Sequence, residues 1–290
     1  MNLQRAQRKK AKIKIGLQGP SGSGKTYTAL LLAYGLSGSD WDNLAVIDSE
    51  NSSSELYSHL GDYNVLNLSA PFTPEKYIEA IAICEKAAMK VIIIDSITHE
   101  WENLLDYHSS LQGNSFSNWS KITPRNNDFV QKILQSPCHI ISTIRTKQDY
   151  VLSEKSGKMV PEKVGLKSVQ RDGLEYEFTI VFDLDMQNHA KASKDRTGLF
   201  FGKPEQKLSV ETGKQILDWC NSGADIKPAD LTTRISGCRT IKQLLDLYQQ
   251  FPQFKDLLKP EFEKQKRSIL INNEVTTQLA NQKIIQNGTH

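Results

Sequence analysis

Residues Gly19–Thr26 read Gly-Pro-Ser-Gly-Ser-Gly-Lys-Thr and satisfy the pattern G-x-x-x-x-G-K-[S/T]. These types at this spacing suit one task, the cradling of a polyphosphate. Gly19, Gly22 and Gly24 let the backbone bend so that successive N–H groups face one anion, with Pro20, Ser21 and Ser23 completing the turn. A helix opening at Lys25 adds its positive N-terminal end. Lys25 would reach the β- and γ-phosphates of ATP, and Thr26 would turn its hydroxyl to Mg²⁺. Such a loop needs a second acid on the metal side. Asp95 closes the apolar run Val91–Asp95 (VIIID) and is followed by Ser96. That fits a Walker B aspartate, holding magnesium through its water shell.

The loop works only between a strand and a helix, and both flanks are present. Lys12–Gln18 is a short β-type run, and Thr26–Leu36 has helical character. Leu44–Asp48 and Val91–Asp95 are further apolar strands, the second fully apolar as a central parallel strand should be. Helical spacing covers Pro74–Met89, Ile97–Leu111 and Arg125–Gln135, and His139–Ile144 is another buried strand. Gln112–Trp119 reads as a polar loop, and Asp149–Gly173 as a long one without a clear period. Phe178–Leu184 and Ala190–Phe201 read as antiparallel strands at the sheet edge. The alternation predicts an α/β fold, a mainly parallel sheet flanked by helices.

After Gly223 the texture changes. Thr240–Gln250 and Pro260–Ile271 read as amphipathic helices, the first with Ile241, Leu244, Leu245 and Tyr248 on one face. The expected organisation is a basic tail at 1–11, a core at 12–222, a small helical appendage at 223–271 and a polar tail at 272–290. The basic residues of Met1–Lys14 are Arg5, Arg8, Lys9, Lys10, Lys12 and Lys14, with no acid among them. The whole chain of 290 residues nevertheless carries a net charge of only +3, so it is no general polycation. Its 38% hydrophobic content suffices for a proper core. Cys84, Cys138, Cys220 and Cys238 form no C-x-x-C pair, which argues against a structural metal and for a reducing compartment. The most apolar stretch, Ala29–Leu36, is too short to span a bilayer, so a cytoplasmic protein without membrane contact is expected.

Four stretches together resemble the RecA-like core ATPases: GPSGSGKT (19–26), VIDSE (46–50), VIIIDS (91–96) and ISTIRTK (141–147). DSITHEW, GNSFSNWSKITPR and RTKQDYV are similar, more narrowly, to the compact RecA-like, AAA-family ATP-binding proteins of phages and mobile elements. The likeness spans about Lys12–Leu217. It implies the RecA-like P-loop fold, ATP and Mg²⁺, and a bacterial cell in which the protein is encoded by a phage or mobile element. Many AAA+ ATPases place a glutamate directly after the Walker B aspartate, where this chain has Ser96. In the RecA branch the catalytic base ends the second strand, which points to Glu50, with Glu100 as a rival read as solvated or packed. A carboxylate there can accept a proton from water in line with the γ-phosphate. Thr143 occupies the place of a polar nucleotide sensor, where relatives usually carry glutamine or asparagine. Lys194 and Arg196 resemble the paired cations that reach a neighbour's γ-phosphate, which implies a homo-oligomer, ring or filament.

The same resemblance sends the chain after Ile144 toward DNA. Arg145–Arg171 carries seven basic residues against three acidic ones. Arg145, Lys147, Lys158, Lys163, Lys167 and Arg171 would follow a single-stranded backbone, with Tyr150 as a stacking platform. Phe116 and Trp119 would add aromatic contacts or simply pack. The leading expectation is an ATP-hydrolysing protein acting on single-stranded DNA in recombination or annealing, with a single-strand binding protein as a further partner. The alternatives are a nucleotide-gated DNA-binding or scaffold protein with little turnover and a small-molecule phosphotransferase, against which the placement of Glu50 argues.

Overall fold

A computed structural model describes residues 8, 10–155, 158–223, 228–251 and 254–272, the side chains of 148–166 and 250 excepted. The chain divides into two compact units, Ala11–Gly223 and a second made of Met1–Lys10 with Ala224–His290. The larger unit runs β1 (Lys14–Gly19), α1 (Lys25–Leu36), β2 (Leu44–Asp48), β3 (Asn64–Asn67), α2 (Pro74–Lys86), β4 (Val91–Asp95), α3 (Thr98–Ser110) and α4 (Ser115–Gln135). It continues with β5 (His139–Lys155), β6 (Lys158–Ser168), β7 (Ile180–Leu184), β8 (Ala190–Asp195) and α5 (Val210–Asn221).

The strands lie in the order β3-β2-β4-β5-β1-β7-β8, with β6 paired to β5 off that path. All neighbours from β3 to β7 are parallel, while β7–β8 and β5–β6 are antiparallel. This is the mainly parallel, helix-flanked α/β architecture expected from the sequence. Strand β5 lies between the loop-bearing β1 and the Asp95-bearing β4, so the two ends that build the site are one strand apart.

Period-two alternation explains why β4 is apolar throughout. Val91 and Ile93 enter the core beneath α1 and α5, and Ile92 and Ile94 enter the core beneath α2 and α4. The helix that follows the phosphate loop is held rigidly. A Cβ on Gly35 of α1 would meet the Val210 carbonyl oxygen at 2.2 Å, and one on Gly213 of α5 would meet that of Leu32 at 2.3 Å. The two helices therefore approach backbone to backbone.

Several sequence expectations are corrected. Asp149–Gly173 is no long loop: through Ser168 it is the arm of a hairpin, with Thr146 opposite Ser168 and Lys155 opposite Lys158. Gln112–Trp119 is a loop only at its start, because Asn114 accepts the Phe116 N–H and opens α4 ten residues before Arg125. Strand β8 stops at Asp195, not Phe201, since the Asp195 carboxylate takes the N–H groups of Thr197, Phe200 and Phe201 and turns the chain. Strand β3, helix α5 and the 3₁₀ segment Ser53–Leu60 were not foreseen.

The smaller unit contains the expected helices and one more. It holds α6 (Pro228–Gly237), α7 (Ile241–Gln250) and a helix over 259–272, here α8. Its core comprises Leu231, Ile235, Leu244, Leu247, Phe251, Phe262 and Ile269, among others. The expected stripe on α7 was misplaced: Leu247 is buried, while Ile241 and Leu245 are exposed.

Candidate functional site

The site forms where β1, β2 and β4 end and where β5 leaves the main sheet. Gly22 and Gly24 have φ of 84° and 76°, left-handed values that glycine adopts without strain. The turn they permit delivers Lys25 as the first residue of α1. Lys25 Nζ donates to the carbonyl oxygens of Gly19 at 3.0 Å and Pro20 at 2.9 Å. Burial holds its pKa below the ordinary lysine value, against the pull of Asp95 and Glu50. Ser23 is fully buried and its hydroxyl has no partner among the described residues. An orphaned donor inside the loop suits an anion.

Asp95 is the hub of the side where the sequence expects the metal. The Thr26 hydroxyl donates to one carboxylate oxygen at 2.6 Å, and the Thr143 hydroxyl donates to the other. Burial pushes the Asp95 carboxyl upward, partly offset by those two hydrogen bonds. A hydroxyl and a carboxylate side by side, both hard oxygen donors, fit Mg²⁺. Register puts Thr143 opposite Leu17 of β1, between the loop strand and β4. Its hydroxyl is thus committed to Asp95.

The end of β2 is built with equal care. Buried Asp48 accepts the Glu50 N–H at 2.6 Å and the Ser54 N–H at 2.8 Å, which fixes the turn that carries Glu50. Ser49 ties β2 to β4: its N–H donates to the Asp95 carbonyl at 2.8 Å, and its hydroxyl accepts the Ser96 N–H at 3.0 Å. The same hydroxyl meets His99 Nδ1 at 2.9 Å, and the His99 ring stacks on Phe72. Asp48 and Ser49 were legible inside VIDSE as letters but not as positioners.

Glu50 points to Arg145. Arg145 Nε donates to Glu50 Oε1 at 2.9 Å, and a terminal guanidinium nitrogen lies 2.9 Å from Oε2, a two-pronged pair. Burial would raise the Glu50 pKa, but the hydrogen bonds and charge of Arg145 prevail and hold it below the ordinary range. Arg145, expected among the DNA-contacting residues, thus has its guanidinium inside the site. The rival Glu100 is not solvated. It is fully buried, with Asn126 Nδ2 at 3.4 Å from one oxygen and, among the described residues, no hydrogen-bond partner for the other, and burial pushes its pKa up to about 8.

Lys194 and Arg196 do not join the site of their own chain. Asp195, between them, pairs with Ile180, which is level with Ile15, whereas the loop leaves β1 at its other end. Their side chains donate to the Tyr176 carbonyl, Lys194 also to that of Glu175. The tip of the β7–β8 hairpin approaches the loop instead. Asn188 Nδ2 lies 2.6 Å from where a Gly24 Cβ would be, and the Met186 methyl 3.5 Å from the same place on Gly22.

The expected DNA-contacting residues divide. The side chains of Tyr150, Lys158 and Lys163 lie outside the described residues. Lys147, Lys167 and Arg171 line one open groove of about 690 Å³ with Phe116, Trp119 and Trp101. Phe116 is 87% exposed. Trp119 packs, stacked on His108 and Trp101. Lys167 pairs with Asp172 at 3.0 Å, and Arg171 reaches Asn127.

Among the described residues, no helix is long and apolar enough to cross a membrane. The profile of a protein family described as "AAA domain" matches residues 11–216. No curated protein matches the chain in sequence. Among solved structures, a KaiC-like protein from the hyperthermophilic archaeon Pyrococcus horikoshii OT3 is similar at 18% identity and a TM-score of 0.40, over 66% of this chain and 83% of that one.

Proposed function

The chain belongs to this AAA domain family, and on that premise we propose that it binds and hydrolyses ATP with Mg²⁺ and acts on single-stranded DNA. The observation that carries the nucleotide reading is the junction of loop and acid: Lys25 and Thr26 leave one glycine-bent loop, and Thr26 donates to buried Asp95 at 2.6 Å. Magnesium would supply charge neutralisation at the phosphates when bound, with Thr26 and Asp95 holding it. The chain's own part is positional. Free backbone N–H groups of the glycine-bent loop and the orphaned Ser23 hydroxyl would bind the phosphates, and Lys25 would exchange its loop carbonyls for them. Glu50, held by the Asp48 turn, takes the proton of the attacking water.

The DNA reading rests on the groove of Lys147, Lys167, Arg171 and exposed Phe116, cations beside a flat ring at the root of the hairpin. Work in phage or mobile-element recombination or annealing, in a bacterial cytoplasm and with a single-strand binding protein at hand, is the setting this reading gives it. Lys194 and Arg196 would complete a neighbour's site in a homo-oligomer, since they are remote from their own. The test is steady-state ATP hydrolysis with and without single-stranded DNA over a range of protein concentrations. Stimulation by DNA, with specific activity rising with concentration, is expected. A rate indifferent to both would remove DNA and the shared site from the mechanism. One observation favours a second reading, a nucleotide-gated binder with little turnover: both oxygens of Glu50 are occupied by Arg145. Strong ATP-dependent DNA binding with near-zero hydrolysis would select it.

A further inference from the structure

We propose that Arg145 is a positioning residue that withholds Glu50 from catalysis, and that the β5–β6 hairpin is the lever that releases it. The inference rests on the reading of Glu50 as the base.

Its foundation is where Arg145 sits in the strand. Arg145 is the last residue of β5 paired with β1, opposite Gly19, the first residue of the phosphate loop. The next residue, Thr146, is the first paired with β6. Arg145 therefore stands on the boundary between sheet and hairpin. Its backbone is clamped on both sides. The N–H donates to the Thr98 hydroxyl at 3.0 Å, where α3 begins, and the carbonyl accepts the Val169 N–H at 2.7 Å, where β6 has just ended. A force on the hairpin reaches the Arg145 backbone through one residue on each strand.

The side chain gives the boundary its consequence. A guanidinium fork engages both carboxylate oxygens, so a water must compete with it for them, and its charge makes Glu50 a weaker base. Asp48 fixes the Glu50 backbone, so the carboxylate is freed by moving Arg145 and not by moving Glu50. Side-chain exposure is 40% for Arg145 and 23% for Glu50. The pair is partly exposed and so partly screened by solvent, and a ligand that binds the hairpin better with Arg145 displaced can shift it. Such a ligand has a place: the groove of Lys147, Lys167 and Arg171 is also lined by Val169, whose N–H donates to the Arg145 carbonyl, and by its neighbours Ser168 and Gln170. The other charged or titratable groups around Glu50 are His99 on α3, Lys25 on α1, Tyr77 on α2, Asp48 beside it and Asp95 on β4.

The experiment uses the full chain, its Arg145→Gln, Arg145→Lys and Glu50→Gln variants, and an unstructured oligodeoxythymidylate as probe. ATP turnover is measured across pH, with and without the oligomer. Arg145→Gln should raise the rate without oligomer at least five-fold, toward the oligomer-stimulated parent rate, and abolish further stimulation. Its KM for ATP should hold, and the acid limb of its pH profile should move to higher pH as Glu50 loses the charge beside it. Arg145→Lys, which keeps the charge but loses the fork, should lie between, and serves alone if Arg145→Gln does not fold. A fall in rate with the acid limb unmoved would overturn the proposal and assign Arg145 to the nucleotide. A parent rate unmoved by the oligomer would overturn the hairpin as lever. Normal hydrolysis by Glu50→Gln would instead defeat the reading of Glu50 as base, a failure distinct from either.

Discussion

The two halves of β5 are one strand by sequence and two objects by physics. Ile140–Ile144 lie between β4 and β1, with Ile141 in one core and Ile140 and Ile144 in the other. Thr146–Lys155 pair with β6 alone. Long-range packing fixes the first half, which hands Thr143 to Asp95. The second half leaves the path of the main sheet and is held by pairing with β6, and a two-stranded ribbon is only marginally stable by itself. A single residue, Arg145, divides a rigid floor from an arm.

The largest effect should come from the floor's chemistry. Glu50→Gln is expected to retain ATP binding and lose about 10²–10⁴-fold in turnover, the range typical of a lost general base. Isothermal titration with ATP and Mg²⁺, beside steady-state rates, separates the two quantities. Lys25→Ala should lose binding and turnover together, the latter by about 10²–10³-fold. Retained turnover in Lys25→Ala would take the phosphate loop out of the mechanism.

Thr143→Val tests whether the first half of β5 serves the site through one hydroxyl. Valine preserves the shape but strips a donor from buried Asp95. Leaving that oxygen unpaired should cost about 1–3 kcal/mol in urea unfolding. An Mg²⁺ requirement raised by about ten-fold would accompany it, since 1.4 kcal/mol is ten-fold in an equilibrium. Unchanged stability and Mg²⁺ dependence would mean that the hydroxyl bond is dispensable to the floor.

The same division marks what was legible in the sequence. The floor announced itself: VIIID is apolar because both its faces are buried, and GPSGSGKT needs its glycines for left-handed turns. The arm did not. Asp149–Ser168 pairs across a hairpin off the path of the main sheet, and such pairing leaves no mark in composition. Helix α4 was read late because Pro124 interrupts the helical signal although it lies inside the helix. The Arg145–Glu50 pair joins residues 95 apart in sequence, and each was legible only as a charge. Glu100 read as solvated or packed, and the sequence did not decide between them because burial of this carboxyl is set by α4 and the return from β6, which supply Asn126 and Gln170.

Glu100 offers a smaller test at the root of the arm. Its pKa is raised by burial to about 8, so between roughly pH 4.5 and 8 the folded chain holds a proton that the unfolded chain has released. Its contribution to stability is therefore present at low pH and is lost as pH rises through that window, by at most about 1.4 kcal/mol per pH unit. Glu100→Gln, neutral throughout, should flatten that slope and be more stable than the parent near pH 8. Urea unfolding at several pH values measures it, and an equal slope in the variant would place the pH dependence elsewhere.

The smallest expected effect belongs to the arm itself. If Lys147 and Arg171 meet phosphates, each releases about 0.7 counterion per contact with a single strand. Replacing either by alanine should reduce the slope of log affinity against log salt by about that amount, uniformly across sequences. Phe116→Ala should weaken binding without touching the slope, because stacking carries no counterion. That contrast distinguishes a groove that reads a strand from a solvated face that happens to be basic. A salt slope unmoved by both charge removals would leave the arm without DNA, although the Arg145–Glu50 pair at its root would stand.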